Sequence, residues 1–107
     1  MHPINGKWRI VAQTPVGTMP SIDEINVNED GLTFQGVMHD ERSGKDYPII
    51  NGKINGMDVT FQASMKIGLI KMDFDLEGHL ADDGQTCHGT AKAMMMKGTF
   101  EGTKIEE

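Results

Sequence analysis

The stretch IKMDFDLEGHL, residues 70–80, alternates apolar and polar side chains at almost every step. Successive side chains of a β-strand point to opposite faces of the sheet, so one face of this segment is apolar and the other is charged. The apolar face carries Ile70, Met72, Phe74, Leu76, Gly78 and Leu80. The pattern predicts a strand with one side in a hydrophobic core and the other side in water.

The same alternation occurs in GLTFQGVM, residues 31–38, and in MDVTFQASM, residues 57–65. Phe34 and Phe61 lie on the apolar faces of these two segments, and each is followed by a glutamine on the polar face. Thirteen glycines interrupt the chain, and a sustained helical spacing of apolar residues is missing. The sequence therefore predicts an all-β protein.

Two kinds of connection alternate between the predicted strands. Polar, tight turns alternate with connections that are longer or more apolar, and in an up-and-down meander the two kinds gather at opposite ends. Eight antiparallel strands with one apolar face close into a barrel, which leaves no exposed edge. We therefore predict a single domain over residues 1–107, an eight-stranded antiparallel up-and-down β-barrel. Its predicted strands are 7–13, 19–28, 31–39, 45–51, 57–66, 69–80, 85–94 and 98–105.

Composition limits the classes of partner. The 107 residues carry a formal net charge of −6, so a general attraction to nucleic acid or to anionic membranes is not expected. The single cysteine, Cys87, cannot form an internal disulfide, and the first residues do not resemble a secretory signal, which favours a cytoplasmic location. Phosphate-binding and dinucleotide-binding motifs do not occur in the sequence, and no cofactor is expected.

Small residues predict open space inside the barrel. If Cys87, Gly89, Ala91 and Ala93 form the inward face of the seventh strand, that strand adds almost no volume to the interior. A barrel of eight strands is just wide enough to hold one small ligand or to be filled by side chains. The alternative is that the aromatic residues of the other strands fill this space.

Methionines gather next to the apolar connections, and the end of the barrel where these connections meet is called the mouth. Methionine is flexible and adapts to irregular apolar partners, so this cluster predicts either a portal for an apolar ligand or a protein contact. The alternative is that the methionines close the barrel end. The cluster contains Met19, Met38, Met65 and Met94 to Met96, together with Val16, Ile67 and Leu69.

The segment HDERSGKDY, residues 39–47, is the charged connection at the mouth. Titratable groups beside an apolar entrance can orient a ligand or transfer a proton, and His39, Asp40 and Tyr47 are the candidates for proton transfer. A solvated hairpin held by its own ion pairs is the alternative. Pro48 cannot donate a hydrogen bond to a neighbouring strand, which predicts that the fourth strand is irregular.

The segment NGKW, residues 5–8, resembles the Gly-x-Trp that opens the first strand in the calycin superfamily, which includes lipocalins, avidins and fatty-acid-binding proteins. GTKI, residues 102–105, is similar to the closing strand that offers a cation to this tryptophan in those families. The resemblance implies a barrel in which Lys104 lies against Trp8 at the end opposite the mouth.

The sequence thus predicts a barrel that binds a small apolar or amphipathic molecule. One alternative is a small barrel enzyme of the isomerase, cyclase or lyase type that uses the same pocket, and the other is an interaction protein that forms a homodimer through the mouth. A metal site is not expected, since the four histidines show no ligand spacing. The predicted ligand-binding residues are Met19, Phe34, Met38, Arg42, Tyr47, Phe61, Met65, Met72, Met94 and Met96.

Overall fold

The computed structural model of the protein describes the backbone of residues 1–107 and every side chain except that of Ile67. The described chain forms eight strands: β1 (Gly6–Thr14), β2 (Gly17–Val27), β3 (Thr33–Asp40), β4 (Asp46–Asn55), β5 (Asp58–Ile67), β6 (Ile70–Leu80), β7 (Thr86–Ala93) and β8 (Met96–Glu106). Each strand pairs antiparallel with the next, and β8 pairs with β1 to close the barrel. The predicted fold class is confirmed. Among the described residues, no helix is long and apolar enough to cross a bilayer.

The inward and outward faces follow the alternation of the sequence. The side chains of Phe34, Phe61 and Phe74 are buried in one core, and Phe34 and Phe61 meet edge to face with ring centroids 5.9 Å apart. Gln62 and Asp75 point outward, and the Gln62 amide donates a hydrogen bond to Asp75 across β5 and β6. The inward and outward faces that the sequence predicts for these strands are therefore correct.

Strand β4 departs from the prediction. It continues to Asn55 instead of ending near residue 51, and the turn that follows it is formed by Gly56 and Met57. The register between β4 and β5 shifts between Ile50 and Lys53, where Asn51 has a φ of 55°. An extra residue with positive φ is typical of a β-bulge, so the Asn-Gly pair at 51–52 makes a bulge and not a hairpin turn.

The irregularity of β4 does not arise at Pro48, where the prediction placed it. Pro48 pairs in regular register with Val37 of β3. The bulge instead turns Gly52 into the barrel below Phe34, where a side chain at residue 52 would lie 2.5 Å from the phenyl ring. The absence of a side chain at Gly52 therefore makes room for a core aromatic residue.

The N-terminal segment covers the closed end of the barrel, opposite the mouth. The Trp8 indole Nε1 donates a hydrogen bond to the carbonyl of Ile4 at 2.8 Å, and both residues are buried. The Lys104 ammonium lies 5.5 Å from the centre of the Trp8 ring. This confirms the contact implied by the resemblance, and such a cation over an indole stabilises the fold by about 0.5–2 kcal/mol.

Strand β7 presents its small residues inward, which is the orientation that open space inside the barrel required. Cys87, Ala91 and Ala93 are buried, and Gly89 lies directly beneath Phe100 of β8. A side chain at residue 89 would lie 2.6 Å from the Phe100 ring. The space beside β7 is therefore partly filled by one aromatic ring and partly open.

Candidate functional site

The barrel interior holds a cavity of ≈ 50 Å³ in the half nearer the mouth. Its wall is almost entirely apolar and includes Met19 of β2, Met38 of β3, Met65 of β5 and Ala91 of β7. Such a cavity has room for a few atoms without any movement of the wall, because an engineered apolar cavity of about 150 Å³ is enough to hold benzene. Three of these four side chains are methionines, which change shape at low cost. The cavity is thus small but has an adaptable wall.

A second, smaller space of ≈ 20 Å³ lies toward the closed end. Trp8 and Phe34 form part of its wall. Ile10, Asp23, Phe61 and Phe100 line both spaces and lie between them. This layer separates the open upper lumen from the densely packed closed end.

Asp23 is the unusual member of that layer. It is only 4% exposed, although charged residues are seldom fully buried unless they are paired. The Ser21 hydroxyl donates a hydrogen bond to Asp23 Oδ1 at 2.8 Å. No hydrogen bond from the described residues reaches the other carboxyl oxygen, which is not fully enclosed, and Asp23 lines both internal spaces.

Burial changes the acidity of this part of the lumen. Loss of water raises the pKa of Asp23 from 3.8 to about 7, and the hydrogen bond from Ser21 opposes only part of that rise. The neighbouring thiol of Cys87 has its pKa raised to about 12 by burial and by the negative charge of Asp23. Cys87 therefore stays protonated near neutral pH, whereas Asp23 changes its charge there.

Asp40 is the second carboxyl of the cavity wall, and both of its oxygens accept hydrogen bonds from the β3–β4 turn. The backbone N–H of Arg42 donates to Oδ1 at 3.2 Å, and the Ser43 hydroxyl donates to Oδ2 at 2.8 Å. The Arg42 side chain approaches the same carboxyl at 4.0 Å. Asp40 therefore holds the turn in shape at the edge of the lumen.

The methionines predicted at the mouth divide into two groups. Met19, Met38 and Met65 are buried and line the cavity, and each lies two residues from the end of its strand. Met94 and Met95 form the two-residue tip between β7 and β8, where Met94 is 92% and Met95 100% exposed. The MMM run at residues 94–96 therefore spans a hairpin tip, and its third member, Met96, already begins β8.

Apolar exposure at the mouth continues on the next hairpin. Leu69, between β5 and β6, is 95% exposed, and Ile70 beside it is also exposed. Each of the two tips is flanked by a cross-strand pair of exposed lysines, which are Lys66 with Lys71 and Lys92 with Lys97. Ile67 was predicted to join this surface, and its side chain lies outside the described residues.

The remaining predicted site residues do not line the cavity. Arg42 lies on the β3–β4 turn, and the Tyr47 side chain is buried in the barrel wall, where its hydroxyl donates to the carbonyl of Lys66 at 3.4 Å. Met72 is half-buried opposite Met65. Of the ten predicted residues, Met19, Met38, Phe61 and Met65 line the cavity, and Phe34 lines the smaller space below it.

The three candidates for proton transfer do not converge on one point. His39 projects from the outer surface of the barrel, where its ring nitrogens lie 2.5 Å from carboxyl oxygens of Glu24 and Asp46. These hydrogen bonds raise the pKa of His39, and the bond with Glu24 has the larger effect. The neighbouring residue Asp40 points into the barrel, because adjacent strand residues face opposite sides.

Outer-surface histidines occur at a second place. His79 and His88 are cross-strand partners with ring centroids 5.7 Å apart, and Nδ1 of His79 lies 2.6 Å from the Asp58 carboxyl. Within the described part of the chain, no three His, Cys, Asp or Glu side chains are arranged to hold a metal ion.

Sequence reasoning missed Asp23 and Ser21. Both share the inward face of β2 with Met19 and Ile25, so the two-residue period that identified the other strands would have placed them inside. The signal was weak because the polar residues interrupt the apolar face of this strand.

No family model matches the chain, and no curated protein matches it.

Proposed function

We propose that this protein binds a small apolar or amphipathic molecule in the upper lumen of the barrel. The observation that carries the proposal is an apolar cavity, adjoining the mouth, whose wall contains a buried carboxyl, Asp23, with a hydrogen bond to only one of its two oxygens. Pockets that are mostly apolar, with few well-placed polar groups, are the usual form of small-molecule sites. The closed barrel and the Trp8–Lys104 contact are consistent with a calycin-like fold, whose members are built around such a lumen.

The methionines of the cavity wall would allow the lumen to accept a molecule larger than the present cavity. Met19, Met38 and Met65 line the cavity wall, and unbranched side chains with three rotatable bonds can move aside for a ligand. The exposed tips carrying Leu69, Met94 and Met95 supply apolar surface outside the same end. A ligand would therefore meet apolar contacts from the mouth to the lumen.

The test is an NMR titration that follows the methyl groups of Ala63 and Ala91, both of which line the cavity. Neutral n-hexanol should shift these two signals in a saturable manner. Ala91→Met should fill the cavity and abolish the saturable shift. Thr99→Met, which adds the same side chain at an exposed position of β8, should leave it intact. If neither hexanol nor its charged analogues, n-hexylamine and hexanoate, gives a saturable shift, or if Ala91→Met binds as well as the wild type, lumenal binding is wrong.

A homodimer through the mouth is the second candidate, and the exposed tips favour it. Leu69, Met94 and Met95 are the kind of apolar surface that marks a contact. The flanking lysine pairs oppose it, because a mouth-to-mouth dimer would bring lysines of both copies close together. Native mass spectrometry separates the candidates, since it reports the number of subunits and any co-purified small molecule in one spectrum.

An enzyme would use the same lumen, with a different proton carrier from those predicted. His39 lies outside the barrel and the Tyr47 hydroxyl is engaged in the wall. Asp23 lines the cavity, has a pKa near neutrality and has a hydrogen bond to only one of its oxygens, which are the properties of a general acid or base. Acid–base chemistry in this protein would therefore be lost in Asp23→Asn and retained in His39→Gln.

A further inference from the structure

The ionisable groups that line the lumen are all acidic. Among the described residues that line the two internal spaces, the ionisable side chains are Asp23, Asp40 and Cys87, and none is basic. Lys104, at the closed end, does not line either space and is engaged with the Trp8 ring and with Glu107. An anionic ligand would find no counter-ion in this lumen.

Asp23 and Asp40 differ in what they can offer a ligand. Both oxygens of Asp40 already accept hydrogen bonds from the β3–β4 turn. Asp23 accepts one hydrogen bond, from Ser21 on its own strand, while its other oxygen accepts none from the described residues and is not fully enclosed. Asp23 lines both internal spaces. The acceptor available to a ligand is therefore Asp23, at the floor of the upper lumen.

We propose that the ligand of this lumen is a small lipophilic amine, whose ammonium group pairs with the Asp23 carboxylate while its apolar part lies against the methionine-lined wall. The inference rests on the proposed function and specifies the chemical class of the ligand. Ser21 acts as a positioning residue, because its hydroxyl fixes one carboxyl oxygen and leaves the other directed to the ligand.

Elementary electrostatics distinguishes three head groups on the same alkyl chain. An ammonium ion forms a charge-assisted hydrogen bond with a carboxylate in a water-poor site, which is about twice as strong as a neutral hydrogen bond. A hydroxyl can donate to Asp23 without any charge pairing. A carboxylate would be brought beside a like charge, so one of the two acids would have to bind a proton first. The expected order of affinity is amine, then alcohol, then carboxylate.

The experiment is a methyl NMR titration of the protein at about pH 8, where the Asp23 carboxylate is mostly ionised. The ligands are n-hexylamine, n-hexanol and hexanoate, which share one alkyl chain. We expect hexylamine to bind about tenfold more tightly than hexanol, and hexanoate to bind most weakly. The shifts of Ala63 and Ala91 verify that each ligand occupies the lumen.

Variants assign the preference to Asp23. Asp23→Asn should remove the advantage of hexylamine over hexanol while hexanol still binds, because the amide keeps the shape and loses the charge. Glu41→Gln is the matched control, since it removes an exposed acid of the β3–β4 turn without changing the lumen. Ser21→Ala should weaken hexylamine binding more than hexanol binding.

The outcomes separate this inference from the proposed function. If hexanol binds in the lumen but hexylamine binds no more tightly, or if Asp23→Asn keeps the amine preference, the inference is overturned and lumenal binding stands. If none of the three ligands saturates the Ala63 and Ala91 signals, lumenal binding itself fails. Should Asp23→Asn not fold, the order of the three ligands on the wild type and the effect of Ser21→Ala still decide the question.

Discussion

Asp23→Asn should stabilise the folded protein above neutral pH, and the size of the effect follows from the pKa of Asp23. Burial raises that pKa from 3.8 to about 7. Below about pH 4 the carboxyl is protonated in both the folded and the unfolded chain, so its ionisation does not affect stability. Between about pH 4 and pH 7 the unfolded chain loses this proton while the folded chain keeps it, which lowers the free energy of unfolding as pH rises.

The magnitude is the shift multiplied by the free energy of one pH unit. A shift of about three units, at about 1.4 kcal/mol each, gives a cost near 4 kcal/mol at about pH 8. Asparagine has the shape of the protonated acid and does not ionise, so the variant avoids this cost. The free energy of unfolding of Asp23→Asn, relative to that of the wild type, should therefore rise by roughly 4 kcal/mol as the pH is raised from about 4 to about 8.

Urea unfolding, measured for both proteins at several pH values, gives the required difference directly. Other carboxyls that titrate in this range affect the wild type and the variant alike, and they cancel in the comparison. Asp82→Asn provides the matched control, because it makes the same substitution at an exposed residue of the β6–β7 turn, outside the lumen. Stability curves that stay parallel from about pH 4 to pH 8 for Asp23→Asn would show that Asp23 does not titrate as an enclosed acid.

Three further outcomes follow from side-chain burial. Phe61→Ala should lower the free energy of unfolding by about 3–5 kcal/mol and Gln62→Ala by less than about 1 kcal/mol, because the first side chain is in the core and the second is exposed. Urea unfolding checks this, and similar losses would contradict the strand phase. Replacement of both Met94 and Met95 by glutamine should change the melting temperature little and leave hexanol binding to the lumen in place, since both tip residues are exposed. Lys104→Gln should cost about 0.5–2 kcal/mol and change Trp8 fluorescence, and an unchanged spectrum would contradict the contact.

The sequence predicts the barrel well because its strands obey a rule that needs no tertiary information. Phe34, Phe61 and Phe74 recur on one face of their strands, and a strand side chain can point only inward or outward. The bulge in β4 was not predictable in the same way. Asn-Gly at 51–52 favours positive φ both in a hairpin turn and in a bulge, and the choice depends on Phe34 packing over Gly52 from another strand.

The candidate site was predictable in its location and not in its chemistry. The topology brings Met19, Met38 and Met65 to one end of the lumen, as the alternation of connections indicated. Which residue of the MMM run forms the tip depends on the register of β7 with β8, and a run of identical residues carries no information about register. Asp23 was overlooked because a carboxyl on an apolar face weakens the pattern by which the face is recognised.

The structural contribution of Asp23 does not account for its presence. Its hydrogen-bond partner Ser21 lies two residues away on the same strand, so the pair joins no two strands and specifies no register. A cost near 4 kcal/mol at about pH 8 is a large part of the 5–15 kcal/mol that usually stabilises a domain. A buried carboxylate becomes favourable when a cation takes the place of the water it has lost, since pairing lowers the pKa that burial raised. The group that makes the barrel less stable above neutral pH is therefore the group that would gain most from an amine in the lumen.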